Sequence, residues 1–323
     1  YVSVKGLLHM DSHKRGEAWV HAVLLLVTIS WGFNNVSMKI GFEYITPLQF
    51  NGLRLAFSLP FMLFFAFFMP GRTAFTRSDV VKLSLLGLFG LGLFQVLFPI
   101  RIDETSTPVG GILMATMPIH VAVLNLVFKL EKPSWRTIAG ILLTVAGLAF
   151  IGFSSTGQAD ATQTTLRGVV CVVMAEFGYA VNTTFIKSFL RRYSVLQVTG
   201  LTMSAGTIAF FAVNMPQMLK LDLLGMAEQA WVTTLYSGLV GYMLANIAWN
   251  RAVGLIGGTR VSIYGNVPPV FVLLLGAVVF GELLQPLQIA GTVVILAGVV
   301  LVQAKVRPGK LSDRKSTRLN SSH

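Results

Sequence analysis

The chain has 323 residues and a net charge of +12, with 54% hydrophobic and only 12% charged residues. Soluble globular chains carry about 25% charged residues, so this composition excludes a water-covered surface and predicts an integral membrane protein. Lys and Arg gather between apolar segments, which favours membrane-protein loops over nucleic-acid binding. The single cysteine, Cys171, and the absence of a phosphate-binding loop predict no metal and no cofactor.

A membrane helix needs about 20 predominantly apolar residues. The segments that meet this condition are 18–39, 47–69, 80–100, 107–129, 136–154, 167–189, 195–214, 231–252, 259–280 and 286–304. The breaks between them carry charge and turn residues, as in MPGRTAFTRSD (69–79). The sequence therefore predicts an all-α integral membrane fold with ten transmembrane helices.

The distribution of Lys and Arg predicts the orientation of these helices. Alternate connections, such as 72–82, 129–136 and 187–192, are rich in both residues. The remaining connections carry only Lys39, Arg101, Arg167 and Lys220. We therefore expect both termini in the cytoplasm, which agrees with an even number of helices.

An internal repeat divides the chain into two halves. Pro118, Glu131, IAG (138–140) and AG (146–147) recur 151 residues later as Pro269, Glu282, 289–291 and 297–298. In addition, LQFNGL (48–53) recurs as LQVTGL (196–201). Five helices per half is an odd number, so the halves should have opposite orientations, as in many secondary transporters.

The expected organisation follows from these boundaries. The expected segments are a cytoplasmic N-terminal segment (1–17), two five-helix repeats (18–154 and 166–304), an extracytoplasmic loop (155–165) and a basic tail (305–323). The last part of the tail, KSTRLNSSH, resembles a cloning remnant and carries no functional argument.

A motif around the first connection points to a family. Trp31, Gly32, Asn34, Asn35 and Lys39 are followed by Pro47, Phe50 and Arg54. Together with Pro269, Glu282 and Gly291, this pattern resembles the ten-helix EamA-type branch of the drug/metabolite transporter superfamily, most closely its aromatic amino-acid exporters. The resemblance implies a helix bundle around a central cavity and metabolite efflux across a bacterial inner membrane. The second half departs from the motif, because Glu176 and Phe177 stand where Ser30 and Trp31 do, and Arg54 has no equivalent.

Glu176 is the strongest candidate for a functional group. It lies about ten residues into the sixth predicted helix, near the middle of the bilayer. A carboxylate there costs roughly 2.5–3.5 kcal/mol on insertion scales, and such groups mark ion, proton or substrate paths. We expect it to couple transport to protons or to bind a substrate amine; the alternative is a hydrogen bond between helices.

Arg54 lies within the second predicted helix, about 10 Å from its outer end. It could bind a substrate carboxylate or extend its charge to the membrane surface, although we favour a role in bracing the bundle. Amide and aromatic side chains within the predicted helices could line the cavity with it. The candidate lining residues are Phe33, Asn34, Asn35, Arg54, Phe94, Gln95, Phe98, Glu176, Tyr179, Asn182, Tyr242, Asn246 and Trp249.

The predicted function is therefore export of small metabolites, most closely neutral or aromatic amino acids, by a monomer or homodimer in the lipid bilayer. A drug or nucleotide-sugar carrier is the alternative within the superfamily. An intramembrane transferase would need His, Asp or Arg clustered at a membrane face, and a channel would need a filter or charged ring. The sequence contains neither pattern, so we expect a transporter and not an enzyme.

Overall fold

The computed structural model describes residues 4–97, 114, 116–155, 165–268, 270–271 and 286–303, and the regular elements in these ranges are all helices. We number them in chain order: α1 Val4–Phe42, α2 Pro47–Leu63 with a π-helical end Phe64–Phe68, α3 from Arg77, α4 Met117–Val127, α5 Trp135–Ser155, α6 Leu166–Phe189, α7 Val195–Met218, α8 Glu228–Ile256, α9 Gly258–Ser262 with a 3₁₀ turn Ile263–Asn266, and α10 Pro286–Gln303.

Within the described residues, six helices are long and apolar enough to cross a membrane. They are Trp19–Phe42, Pro47–Phe68, Arg77–Leu97, Leu166–Phe189, Val195–Met218 and Glu228–Ile256. The prediction of an all-helical, multi-pass membrane protein is confirmed at this level. Four of the predicted helices, 80–100, 107–129, 259–280 and 286–304, extend into residues outside the described ranges, so the count of ten stays a prediction.

The polar N-terminal segment is largely helical and runs into the first apolar helix. Helix α1 begins at Val4, and the part of it that is apolar enough to cross a membrane begins at Trp19, next to the predicted residue 18. This segment contains no proline, and each of its two glycines, Gly6 and Gly16, costs a helix only about 1 kcal/mol relative to alanine.

Side-chain caps set several helix starts. Thr46, Thr76, Thr165 and Ser194 each accept a hydrogen bond from the backbone N–H three residues later. Such caps satisfy amides that have no partner within the helix. The caps Thr46 and Ser194 are 148 residues apart and each precedes a Leu-Gln pair, so α1–α2 and α6–α7 share one register.

Two helices contain a π-helical turn midway along their length. Gly87–Gly92 forms this turn in α3, and Ser237–Leu244 forms it in α8. Both turns contain the pattern Gly-Leu-x-Gly, at 87–90 and 238–241. The glycines allow close approach, because a Cβ on Gly87 would meet the Thr202 backbone of α7 and one on Gly238 would meet the Arg54 backbone of α2.

The bundle is apolar on its outside and polar within. Trp135, Phe153, Leu166 and Leu219 are largely exposed, as side chains that face lipid would be. In contrast, Arg54, Glu176 and several amides and hydroxyls are buried between helices. Charged groups in such positions point towards a functional interior.

Candidate functional site

A cavity of about 130 Å³ lies at the middle of the bundle. Its walls come from α1, α2, α3, α6, α8 and α9, together with Met117 at the start of α4 and Met114 just before that helix. A dry cavity of about 150 Å³ holds a benzene ring, so this space accommodates one aromatic side chain or a molecule of similar size.

Three aromatic rings pack together at one side of the cavity, and we call them the aromatic cluster. The ring centroids are 5.0 Å apart for Trp31 and Trp249, 6.4 Å for Trp31 and Tyr179, and 6.2 Å for Tyr179 and Trp249. The Trp31 indole Nε1 donates a hydrogen bond of 3.0 Å to the Gly241 carbonyl in the π-turn of α8. The cluster therefore joins helices of both halves of the chain.

Arg54 lies in the cavity wall with 4% of its surface exposed, held by polar neighbours. Its Nε donates to Asn51 Oδ1 at 2.7 Å, and its Nη2 donates to Gln95 Oε1 at 3.1 Å. The guanidinium carbon lies 5.7 Å from the centre of the Tyr242 ring, which adds a cation–π contact. These contacts match the bracing role favoured from the sequence, and the position in the cavity wall also allows contact with an anionic group.

Glu176 also lines the cavity and is 5% exposed. It lies one turn before Tyr179, whose hydroxyl donates a 2.9 Å hydrogen bond to Asn246 Oδ1 in α8. A carboxylate and a guanidinium thus face one small cavity that has aromatic walls. This combination is complementary to a molecule with a cationic group, an anionic group and an apolar side chain.

Most residues predicted to line the cavity meet in it. Those that line it are Asn34, Asn35, Arg54, Phe94, Gln95, Glu176, Tyr179, Tyr242, Asn246 and Trp249. Phe33 is 49% exposed and Asn182 is 1% exposed, and neither lines the cavity. Phe98 lies outside the described residues.

The cavity also includes residues that the sequence did not single out as lining. Among them, Trp31 and Met38 lie three and four residues on either side of Asn34 and share its helix face. Helical spacing around the Asn pair is the signal that could have identified both.

Ion pairs join the helices at one end of the bundle, which we call the ion-pair end. Arg192 donates to both carboxylate oxygens of Asp79, at 3.0 and 3.2 Å, and Tyr193 donates to Asp79 at 2.7 Å. Lys187 Nζ lies 2.7 Å from Glu131, which also accepts from the Thr259 hydroxyl at 2.9 Å. These contacts connect the starts of α3 and α9 to the end of α6 and its following loop.

The opposite end of the bundle carries the connections 43–46 and 219–227. A second cavity of about 290 Å³ lies between them, lined by Tyr44, Gln49, Asp222 and Gly225 among others. At the ion-pair end the corresponding connections touch, since the Thr76 N–H donates to the Tyr193 hydroxyl at 3.3 Å. Gln197, in the first turn of α7, also donates through Nε2 to the Thr73 carbonyl at 2.7 Å. The two ends therefore differ in how tightly their connections pack.

A bundle of membrane helices around a partly polar cavity is the architecture of a membrane transporter. The family model of the EamA-like transporters, a family of the drug/metabolite transporter superfamily, matches this chain twice, at residues 18–153 and 166–304. The chain belongs to the EamA-like transporter family.

Similar proteins carry the same general description. An "uncharacterized transporter" of Archaeoglobus fulgidus is 23% identical over 89% of this chain and 99% of its own length. A "probable terminal-alkyne amino-acid exporter" of Streptantibioticus cattleyicolor is 27% identical over 87% of this chain and 92% of its own length. A solved crystal structure at 14% identity superimposes with a TM-score of 0.69 over 88% of this chain and shows the same fold.

Proposed function

We propose that this protein is a secondary transporter that exports neutral or aromatic amino acids across the inner membrane of a bacterium. The observation that carries the proposal is the central cavity, in which Glu176, Arg54 and the aromatic cluster face the same space. A zwitterion with an apolar side chain would match these three features. The relative named as a probable amino-acid exporter supports this choice of substrate.

The repeat supports transport by alternating access between two inverted five-helix halves. The same family model matches both halves. When the caps Thr46 and Ser194 are aligned, Trp31 becomes equivalent to Tyr179, because both pairs are 148 residues apart. The sequence comparison aligned Trp31 with Phe177 instead, which is two residues earlier. Trp31 and Tyr179 contact each other in the aromatic cluster, as equivalent residues near a two-fold axis would.

The difference between the two ends supports a state closed at the ion-pair end. Gln197 bonds to the connection beside it, at Thr73. Its counterpart 148 residues earlier, Gln49, accepts hydrogen bonds from its own cap Thr46 and lines the 290 Å³ cavity. The ion-pair end has the connections rich in Lys and Arg, so we assign it, with both termini, to the cytoplasm.

Uptake of labelled phenylalanine, tryptophan and leucine into proteoliposomes tests the proposal, with and without a pH gradient. We expect saturable uptake. Replacing Glu176 with Gln removes a charged partner of the substrate amine, and we expect a loss of about 10- to 100-fold in transport efficiency. The exposed Glu228→Gln variant is the matched control and should behave as the wild type.

The same panel separates the rival functions. Saturable uptake of a drug or a nucleotide sugar, with no uptake of any amino acid by folded protein, would overturn the amino-acid proposal. A nucleotide-sugar site requires several cations, whereas Arg54 is the cation among the described lining residues. Loss of the pH dependence in Glu176→Gln would assign proton coupling to this carboxylate.

A further inference from the structure

Asn34 and Asn182 occupy equivalent positions in the two halves of the chain. They are 148 residues apart, the spacing that also separates the caps Thr46 and Ser194. Asn34 belongs to α1 and Asn182 to α6, the first helix of each half. The equivalence therefore holds in both sequence and helix register.

Each asparagine packs against the π-turn of the other half. A Cβ on Gly241 in α8 would lie 2.5 Å from Asn34 Oδ1, and a Cβ on Gly90 in α3 would lie 2.9 Å from Asn182 Cβ. Gly90 and Gly241 are 151 residues apart, which is the spacing of the repeat in this part of the chain. The two contacts are therefore equivalent, one in each direction between the two halves of the chain.

The side-chain oxygen of each asparagine is buried and has no hydrogen-bond partner among the residues that the structure describes. Because unpaired buried acceptors are unfavourable, each of these oxygens is available to a donor from a bound molecule. Asn34 Oδ1 packs against Gly241, but Asn34 lines the cavity, so a rotation of its amide would present the oxygen to a substrate.

The aromatic cluster separates the two asparagines. Asn34 follows Trp31 by three residues, about 4.5 Å along the helix, in a helix that runs away from the ion-pair end. Asn182 follows Tyr179 by the same distance in a helix that runs towards the ion-pair end. Asn34 therefore lies on the open side of the cluster and lines the cavity, whereas Asn182 lies on the sealed side and does not.

We propose that Asn182 takes the place of Asn34 in the cavity wall when the transporter opens at the ion-pair end. The substrate's ammonium group would donate to Asn34 Oδ1 in the state described here and to Asn182 Oδ1 in the other. This inference rests on the alternating access proposed above. It makes Asn182 a substrate-binding residue of one state only.

Cysteine accessibility tests this assignment, because Cys171 is the only native cysteine. In a Cys171→Ala background, Asn34→Cys and Asn182→Cys are treated with a membrane-impermeant thiol reagent from one side at a time, in intact cells and in inverted vesicles. We expect Asn34→Cys to react only from the opposite end and Asn182→Cys only from the ion-pair end. Excess phenylalanine should slow both reactions several-fold.

The outcomes separate this inference from the proposed function. The inference alone would be overturned if the Cys171→Ala parent takes up phenylalanine but Asn182→Cys does not react from either side. Reaction of Asn182→Cys from the opposite end would overturn it in the same way. Absence of uptake, together with no protection of Asn34→Cys by any amino acid, would overturn the proposed function.

Uptake by alanine variants provides a second readout if a cysteine variant does not fold. Asn182→Ala should raise the half-saturation concentration for substrate added at the ion-pair end and leave that at the opposite end unchanged, with the reverse for Asn34→Ala. The control is Asn214→Ala, since Asn214 is buried in α7, bonds to the Phe210 carbonyl and does not line the cavity. Equal effects of Asn182→Ala at both ends would contradict the assignment.

Discussion

Arg54 shows how a buried charge is held in an apolar bundle. Its guanidinium meets the amide oxygens of Asn51 and Gln95 and the face of Tyr242, and Asn51 is itself fixed by a 3.1 Å hydrogen bond to the Gln95 carbonyl. A planar group with several donors suits these directions, whereas a lysine ammonium on a flexible chain does not. The geometry at this residue depends on its shape as well as its charge.

We therefore predict that Arg54→Lys loses transport although the charge is kept. Lysine cannot make both hydrogen bonds that Nε and Nη2 make in the wild type. We expect the transport rate to fall about tenfold, which corresponds to a loss of about 1.4 kcal/mol. Initial uptake rates, normalised to folded protein by size-exclusion chromatography, measure the effect. The exposed Arg72→Lys variant is the control, and equal rates in both variants would contradict the bracing role.

At the scale of elements, α5 and α10 pack through small residues. A Cβ on Gly147 would lie 2.6 Å from the Gly291 carbonyl oxygen, and one on Gly298 would lie 2.8 Å from the Gly140 carbonyl oxygen. The two helices can approach this closely only because these positions lack side chains. Asn266 connects the pair to the bundle through a 2.9 Å hydrogen bond to Thr144.

A larger residue at Gly147 should separate α5 from α10. We expect Gly147→Leu to lower the free energy of unfolding by about 1–3 kcal/mol, as overpacked sites do. Gly254→Ala is the control, because a Cβ there meets only Leu190, at 3.4 Å, and alanine favours the helix. Thermal unfolding in detergent compares the variants, and a Gly147→Leu protein as stable as the control would show that the helices do not depend on this contact.

At the scale of the molecule, the ion-pair end joins the helices on one side of the bundle through charged contacts. Burial raises the pKa of the Glu131 carboxyl, but the hydrogen bonds from Lys187 and Thr259 and the Lys187 charge lower it more, so its pKa lies below its usual value of 4.5. The ionised carboxylate is the form that binds these partners. Its contribution to stability is therefore present above the usual pKa and is lost as pH falls through the lower pKa of the folded protein.

We predict that Glu131→Gln is less stable than the wild type at pH 7 and that the difference shrinks as the pH falls below about 4.5. Because the pair is partly exposed, a double-mutant cycle with Lys187→Met should give a coupling of about 0.2–1 kcal/mol. Melting temperatures across this pH range measure both quantities. A difference that grows on acidification would show that the carboxylate does not stabilise the closed end.

The sequence allowed the apolar helices and most of the cavity residues to be predicted, because charges and amides are rare in such helices. It did not allow the orientation of Phe33 to be predicted, since lipid and cavity both accept an aromatic ring. Nor did it indicate the Asp79–Arg192 pair, which joins residues 113 apart in the chain, because charges in loops ordinarily face water. Contacts between distant loops depend on how the helices pack against one another. The residue pattern along a single helix does not predict that packing.

The π-turns in α3 and α8 change the direction in which the later side chains of each helix point. A π-turn holds one more residue than an α-turn, so it rotates everything that follows by about 100° relative to an uninterrupted helix. In α3 it allows Asp79 to meet Arg192 at one end while Phe94 and Gln95 face the cavity further along. In α8 the same rotation brings Asn246 and Trp249 to the cavity wall. A relative that had lost one residue at either turn would keep the helix and its composition but present a different set of side chains to its cargo.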